Sequence, residues 1–79
     1  MADAQTSDTW EHTTGFVSSN IDEFRFDKNT DTLQVDFVSG DTYEYYNVPP
    51  AVNRAFQSAA SKGQFFIRHI KGRYSYEQV

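Results

Sequence analysis

The segment from Ser61 to Tyr74 constrains the fold most, because it carries a helix start, an apolar face and a stop in one short run. Ser61 is a good N-cap residue, and Gln64 three positions later completes a Ser-x-x-Gln capping box. Gly72 follows the last periodic residue and is expected at C′, just past the helix end. At about 100° per residue, Phe66, Ile67 and Ile70 share one arc, with Gln64, Arg68 and Lys71 opposite and Phe65 and His69 flanking. Gly63 sits inside the first turn, where glycine costs about 0.5–1 kcal/mol relative to alanine. A close approach explains it. The preceding helix is the expected neighbour; another backbone or a ligand is the alternative.

A helix this short needs a partner layer, and the upstream sequence supplies one. Asp22 to Asp27 alternates, with Phe24 and Phe26 on one side and Glu23 and Arg25 on the other. Asp27 to Asp31 is a polar loop of hairpin length. Thr32 to Val38 is the clearest strand, Leu33, Val35 and Phe37 alternating with Gln34 and Asp36. After the tight turn at Ser39, Gly40 and Asp41, Thr42 to Val48 places Tyr43 and Tyr45 on one face and Glu44 and Tyr46 on the other. Pro49 and Pro50 end the sheet, and Pro50 suits the first helical position, where a missing N–H does no harm. Ala51 to Ala60 is then helical in pattern. Val52, Ala55, Phe56 and Ala59 form one face, and Asn53, Arg54, Gln57 and Ser58 the other.

The predicted fold is therefore α+β: a three-stranded antiparallel meander followed by two short helices. Arg73 to Val79 alternates again and is read as either a fourth, edge strand or an extended tail. Phe24, Phe26, Leu33, Val35 and Phe37 should pack on Val52, Phe56, Phe66 and Ile70. The opposite sheet face, with Glu23, Asp36 and Glu44, should be exposed and acidic. Residues 1–14 are polar without apolar period and are read as a flexible tail preceding one domain over residues 15–79. Trp10 in that tail is expected to fold back on the domain, the alternative being a hook for a partner.

Composition limits the chemistry. Seventy-nine residues make one domain with a thin core, and seven Phe, five Tyr and one Trp supply its bulk. The absence of cysteine removes disulfides, thiolate metal sites and a Cys nucleophile. No apolar run approaches the ~20 residues of a membrane span, so a cytoplasmic location is expected. The net charge of −4 is unevenly spread. Residues 1–50 hold two cations against ten acids (−8), and residues 51–79 hold five against one (+4). Such asymmetry points to an anionic partner on the basic side, or to two halves that attract each other within one fold.

The ordered pattern Val17-Ser18-Ser19, Thr32-Leu33-x-Val35-x-Phe37-x-x-Gly40, Tyr43-x-Tyr45, Val48-Pro49, Ser61-x-Gly63-x-Phe65-Phe66-Ile67 and Tyr74 resembles the KTSC domain family. The resemblance runs from about Phe16 to Tyr76. That family takes its name from the C-terminus of some lysyl-tRNA synthetases and also occurs as small stand-alone proteins, some phage-encoded. The resemblance implies an accessory role near nucleic acid and brings no agreed catalytic residues.

Catalysis is not expected. Ser18 or Ser19 could be combined with His69 and an aspartate, but no nucleophile elbow surrounds either serine. Capping of backbone N–H groups at the start of a strand suits them better. No metal or other cofactor is expected. His12 has only Glu11 beside it, and Asp27, Asn29 and Asp31 begin like a calcium loop that lacks its glycine and distal glutamate. Binding remains. The first expectation is an RNA or other nucleic-acid partner held by Arg54, Lys62, Arg68, Lys71 and Arg73, with Tyr74 and Tyr76 as stacking surfaces. The second is a protein partner. Asp22, Glu23, Asp27, Asp31, Asp36, Asp41 and Glu44 lie in two hairpins and could occupy a basic groove on a nucleic-acid-handling protein, as an adaptor or an inhibitor of the phage type would.

Overall fold

A computed structural model describes residues 9–79. The elements are β1 (Trp10–Thr13), β2 (Ile21–Asp27), β3 (Thr32–Phe37), β4 (Thr42–Tyr45), α1 (Pro50–Ser58), α2 (Lys62–His69) and β5 (Tyr76–Gln78). The strands form one antiparallel sheet in sequential order, β1-β2-β3-β4-β5. Both helices lie in the chain between β4 and β5. The α+β class and the central meander agree with the sequence, and the C-terminal strand is present.

The sheet is wider than the alternation predicts on its N-terminal side. Trp10 to Thr13, expected within the flexible tail, pair with β2 from Asp27 to Phe24. Trp10 lies opposite Asp27, so it folds back on the sheet. The remainder of the expected tail, residues 1–8, lies outside the described residues. The four-residue β1 is too short for alternation to announce it, and its outward backbone edge carries no apolar demand. Its side chains meet α1: Asn53 Nδ2 donates to Glu11 Oε1 (3.3 Å) and Gln57 Nε2 to Thr13 Oγ1 (3.0 Å). Asn53 is consequently buried, at 2% exposure, rather than on the outer face where its helical position put it. Its Oδ1 has no hydrogen-bond partner among the described residues.

The core is aromatic and is centred where the sequence places it. Phe24, Phe26, Leu33, Val35 and Tyr45 from the sheet meet Phe56, Phe66 and Ile70 from the helical layer, all buried. Phe24 stacks on Phe56 with ring centroids 3.9 Å apart, and Phe56 on Phe65 at 5.3 Å. This column ties β2, α1 and α2 together. Phe66 meets Phe37 and Tyr45 edge-on, the T-shaped geometry that aromatic quadrupoles favour. Val52 is only half-buried and packs at the margin.

The helix ends follow local chemistry. Pro50 opens α1 behind Pro49 at the N-cap. Ser61 caps α2, its hydroxyl accepting from Gln64 N. Gly72 is not the C′ residue. The C-cap is Ile70, and Gly72 (φ +77°) is the third residue of a tight turn closed by Arg73 N donating to the Ile70 carbonyl (3.0 Å). Glycine belongs there because that turn position needs a positive φ.

Candidate functional site

The basic residues divide into three places. Arg68, Lys71 and Arg73 are exposed around the C-terminal turn of α2, and Arg73 Nε donates to the Arg68 carbonyl (3.0 Å). That bond brings the two guanidinium-bearing segments together, and the turn at Gly72 carries Lys71 between them. Cations at a helix C-terminus also meet the negative end of the helix dipole. Lys62 lies at the opposite end of α2. Its ammonium donates to the Ala59 carbonyl (2.7 Å) and rests 5.4 Å from the Phe16 ring centre, so it is engaged in joining the two helices. Arg54 is exposed on α1, a separate element. Tyr74 is half-buried against the core. Tyr76, on β5, is the more open ring at 57% exposure.

Beside the Arg68–Arg73 turn lies a cleft of about 660 Å³, between the α2 end and the β3–β4–β5 side of the sheet. Phe37, Tyr43, Tyr45, Phe66 and Tyr76 form its aromatic walls. Tyr76 packs against Tyr43 and Tyr45 with centroids 5.7 Å away in each case. Burial, with smaller contributions from Tyr43 and Tyr76, pushes the Tyr45 phenol up to about 12. Ile67, Lys71 and Gly72 come to the cleft from the helical side, and Ser39 and Asp41 from the β3–β4 turn. Ile67 is 57% exposed here, although its helical arc places it with Phe66 and Ile70. Phe66 and Ile70 face the sheet, and α1 covers the Phe65 shoulder of α2 through the Phe56 stack. Among the described residues, no second helix lies against the Ile67 shoulder.

Ser18, Asn20 and Gly63 meet at the start of β2. The Ser18 hydroxyl donates to Asn20 Oδ1 (3.0 Å) and accepts from the backbone N of Asn20 (3.4 Å) and Ile21 (3.2 Å). This is the backbone-capping role expected of a serine there. A Cβ built on Gly63 would stand 2.6 Å from Asn20 Oδ1 and 3.6 Å from Ser18 Oγ. The close neighbour of Gly63 is therefore this loop and not the preceding helix. His69 packs beside Phe65, with centroids 4.7 Å apart.

The acidic residues do not make one surface. Asp27 is nearly buried, and its Oδ1 accepts from Asn29 N (2.9 Å) to shape the β2–β3 turn. Asp31 adopts a left-handed φ of 55° in the same turn. Asp22 lies at the β2 irregularity, and Asp41 takes hydrogen bonds from Ser39 and Gln78 in the β3–β4 turn at the far end of the hairpin. Glu23, Asp36 and Glu44 share the open sheet face with Arg25, as the alternation places them. Arg25 pairs with Glu23 (3.1 Å) and with Asp36, and it donates to Gln34, which donates to Glu44 (2.9 Å). Desolvation by itself would raise Asp36, but hydrogen bonds from Thr42 and Arg25 outweigh it and hold its carboxyl below the usual range. The Tyr46 hydroxyl lies 2.8 Å from Glu77 Oε1 and 3.0 Å from Glu44 Oε1. Its bond to Glu77 is the main reason its ionisation is pushed well up. The acidic face is thus partly neutralised from within.

Among the described residues, no three His, Asp or Glu side chains converge as a metal site, and no helix is long and apolar enough to cross a membrane.

Comparison with known proteins adds three findings. Residues 17–74 match the family model of the KTSC domain. Lysine–tRNA ligases of Trichormus variabilis and Nostoc punctiforme are 46% and 44% identical to this chain over 61 residues, 77% of its length. The match spans only 11% of the length of each ligase. The crystal structure of a KTSC domain protein from Yersinia pestis superimposes with a TM-score of 0.83 at 31% identity, covering 89% of this chain and 97% of the other.

Proposed function

The chain belongs to the KTSC domain family, and on that premise we propose that it is a non-catalytic module that binds RNA through the C-terminal end of α2. The observation that carries this reading is the grouping of Arg68, Lys71 and Arg73 around one tight turn, beside a cleft walled by aromatic rings. Phosphates need positive donors and unstacked bases need flat apolar faces, and here the two are adjacent. The relatives support it by type, since a homologous segment is part of enzymes that act on tRNA by name. Arg54 and Lys62 contribute less than the sequence suggests, one being on another helix and the other drawn inward to Ala59 and Phe16. Weaker support goes to a protein partner with a basic groove, because Arg25 sits among the carboxylates that would have to face it.

The test is fluorescence anisotropy with a labelled single-stranded RNA over a range of salt. Three phosphate contacts predict a log–log salt slope of about −2. Arg68→Glu with Arg73→Glu should abolish binding, while Asp36→Lys should leave it intact or strengthen it. Binding that persists in the double variant overturns the reading.

A further inference from the structure

The cleft has a composition that the basic turn beside it does not explain. Tyr45 and Phe66 form its deep wall at 5% and 4% exposure, and Tyr76 stands over them largely in solvent. Val38 and Ile67, at 61% and 57% exposure, complete an apolar rim. Single exposed apolar residues are ordinary, but three around one concave site mark a place where something docks. The volume of about 660 Å³ falls within the range of small-ligand sites, about 300–1,000 Å³. Polar groups converge on the same space. Asn20 uses its Oδ1 for Ser18 and has no bond at Nδ2 among the described residues. Ser39 and Asp41 add a hydroxyl and a carboxylate.

We propose that this cleft receives one unstacked nucleobase of the bound strand, stacked on Tyr76, with the adjoining phosphate at Lys71. Charge and polarity select this occupant. A cationic side chain entering beside Tyr43 and Tyr76 would meet Lys71 in the lining and Arg68 and Arg73 next to it. An aliphatic peptide side chain would leave Asn20 Nδ2 unmatched, whereas Ser39 and Asp41 already bond to each other. A base offers two flat faces to the rings, donors and acceptors at its edge, and an anionic linkage that the lysine attracts. The strand itself rests on the RNA reading above; stacking of a base on Tyr76 needs no contact with the neighbouring arginines, which do not line the cleft.

The experiment is an amide NMR titration of the whole chain with adenosine, which has no phosphate. Anisotropy follows with a twelve-nucleotide oligo(A) and an abasic ribose-phosphate strand of equal length. Adenosine at millimolar concentration should shift resonances of Phe37 to Asp41, Tyr43, Ile67 to Gly72 and Tyr76. Tyr76→Ala should remove those shifts and weaken oligo(A) about tenfold, without changing the abasic strand. Tyr76→Phe should bind as the natural chain does. Ile67→Ala, at an equally exposed position that does not depend on β5, should weaken adenosine and oligo(A) in the same direction and leave the abasic strand unchanged. Unaltered adenosine shifts in both it and Tyr76→Ala would overturn the base site. If adenosine shifts no cleft resonance, or oligo(A) and the abasic strand bind alike, the base site is overturned while the phosphate-binding reading stands. If adenosine binds in the cleft and neither strand binds, the base site stands and the RNA reading falls.

Discussion

Replacing Gly63 by alanine should destabilise this protein, although the same change in an unobstructed helix would stabilise it. Alanine gains about 1 kcal/mol over glycine in a helix interior. Against that, its Cβ would stand 2.6 Å from Asn20 Oδ1, where ordinary contact begins near 3.4 Å. The oxygen must therefore retreat by about 0.8 Å (3.4 − 2.6). Asn20 is held by the Ser18 hydroxyl at 3.0 Å, so retreat breaks a hydrogen bond that contributes about 1 kcal/mol. Leaving the preferred rotamer costs about 1 kcal/mol more. The net is a loss of about 1 kcal/mol. Removing the obstacle reverses the sign: in an Asn20→Ala background, Gly63→Ala should stabilise by about 1 kcal/mol. The coupling between the two positions is then about 2 kcal/mol, well above the ~0.5 kcal/mol expected of independent sites. Urea denaturation of the four proteins in this cycle measures it, and each kcal/mol should also move the melting temperature by about 4–8 °C for a domain of this size. Equal effects of Gly63→Ala in the two backgrounds would refute the contact as the reason for the glycine.

Three further outcomes follow from the packing and the charge network. Phe66→Ala should cost about 3–5 kcal/mol, whereas Ile67→Ala, one residue along the same helix, should stay within about 0.5 kcal/mol; equal losses in denaturation midpoint would mean the wrong face of α2 is inward. Arg25→Met should cost about 1 kcal/mol at neutral pH by stranding Glu23 and Asp36. Because Asp36 is held below its ordinary value, its contribution is present above about pH 4 and lost as pH falls further, so the gap between Arg25→Met and the natural chain should narrow at pH 3. A gap unchanged by acid would remove Asp36 from the account. At the other extreme, the Tyr45 phenol is raised to about 12 in the fold, so stability should decline as pH climbs from about 10 through that value. Tyr45→Phe should delete a late step from the ultraviolet titration of tyrosine, and loss of an early step instead would show that the ring is not shielded.

Much of the architecture was legible before any coordinates, because it is set by local periodicity and local hydrogen bonding. Alternation located β2, β3 and β4 and put Phe24, Phe26, Leu33 and Val35 inward, since a strand turns successive side chains to opposite faces. The Ser61 cap was legible because its bond to Gln64 spans three residues. What the chain could not announce depends on neighbours distant in sequence. Ile67 and Phe65 flank Phe66 symmetrically on a helical wheel, and only the stack of Phe56 on Phe65 decides that Ile67 is the one left at the cleft. Asn53 is inside because β1, contributed from more than forty residues away, offers it Glu11. Gly63 was visibly anomalous, but its neighbour proved to be Asn20, because the loop before β2 returns across the start of α2. The charged residues divide in the same way. Sequence counts the cations and carboxylates, and alternation already puts Arg25 on the face of Glu23; tertiary structure draws Lys62 to Ala59, pairs Arg25 with Asp36 across β2 and β3, and leaves Arg68, Lys71 and Arg73 together beside an aromatic cleft. Periodicity is a property of successive residues, so the sequence by itself determined the layers, whereas a site is a property of residues that meet only when those layers close, and the tertiary structure alone decided it.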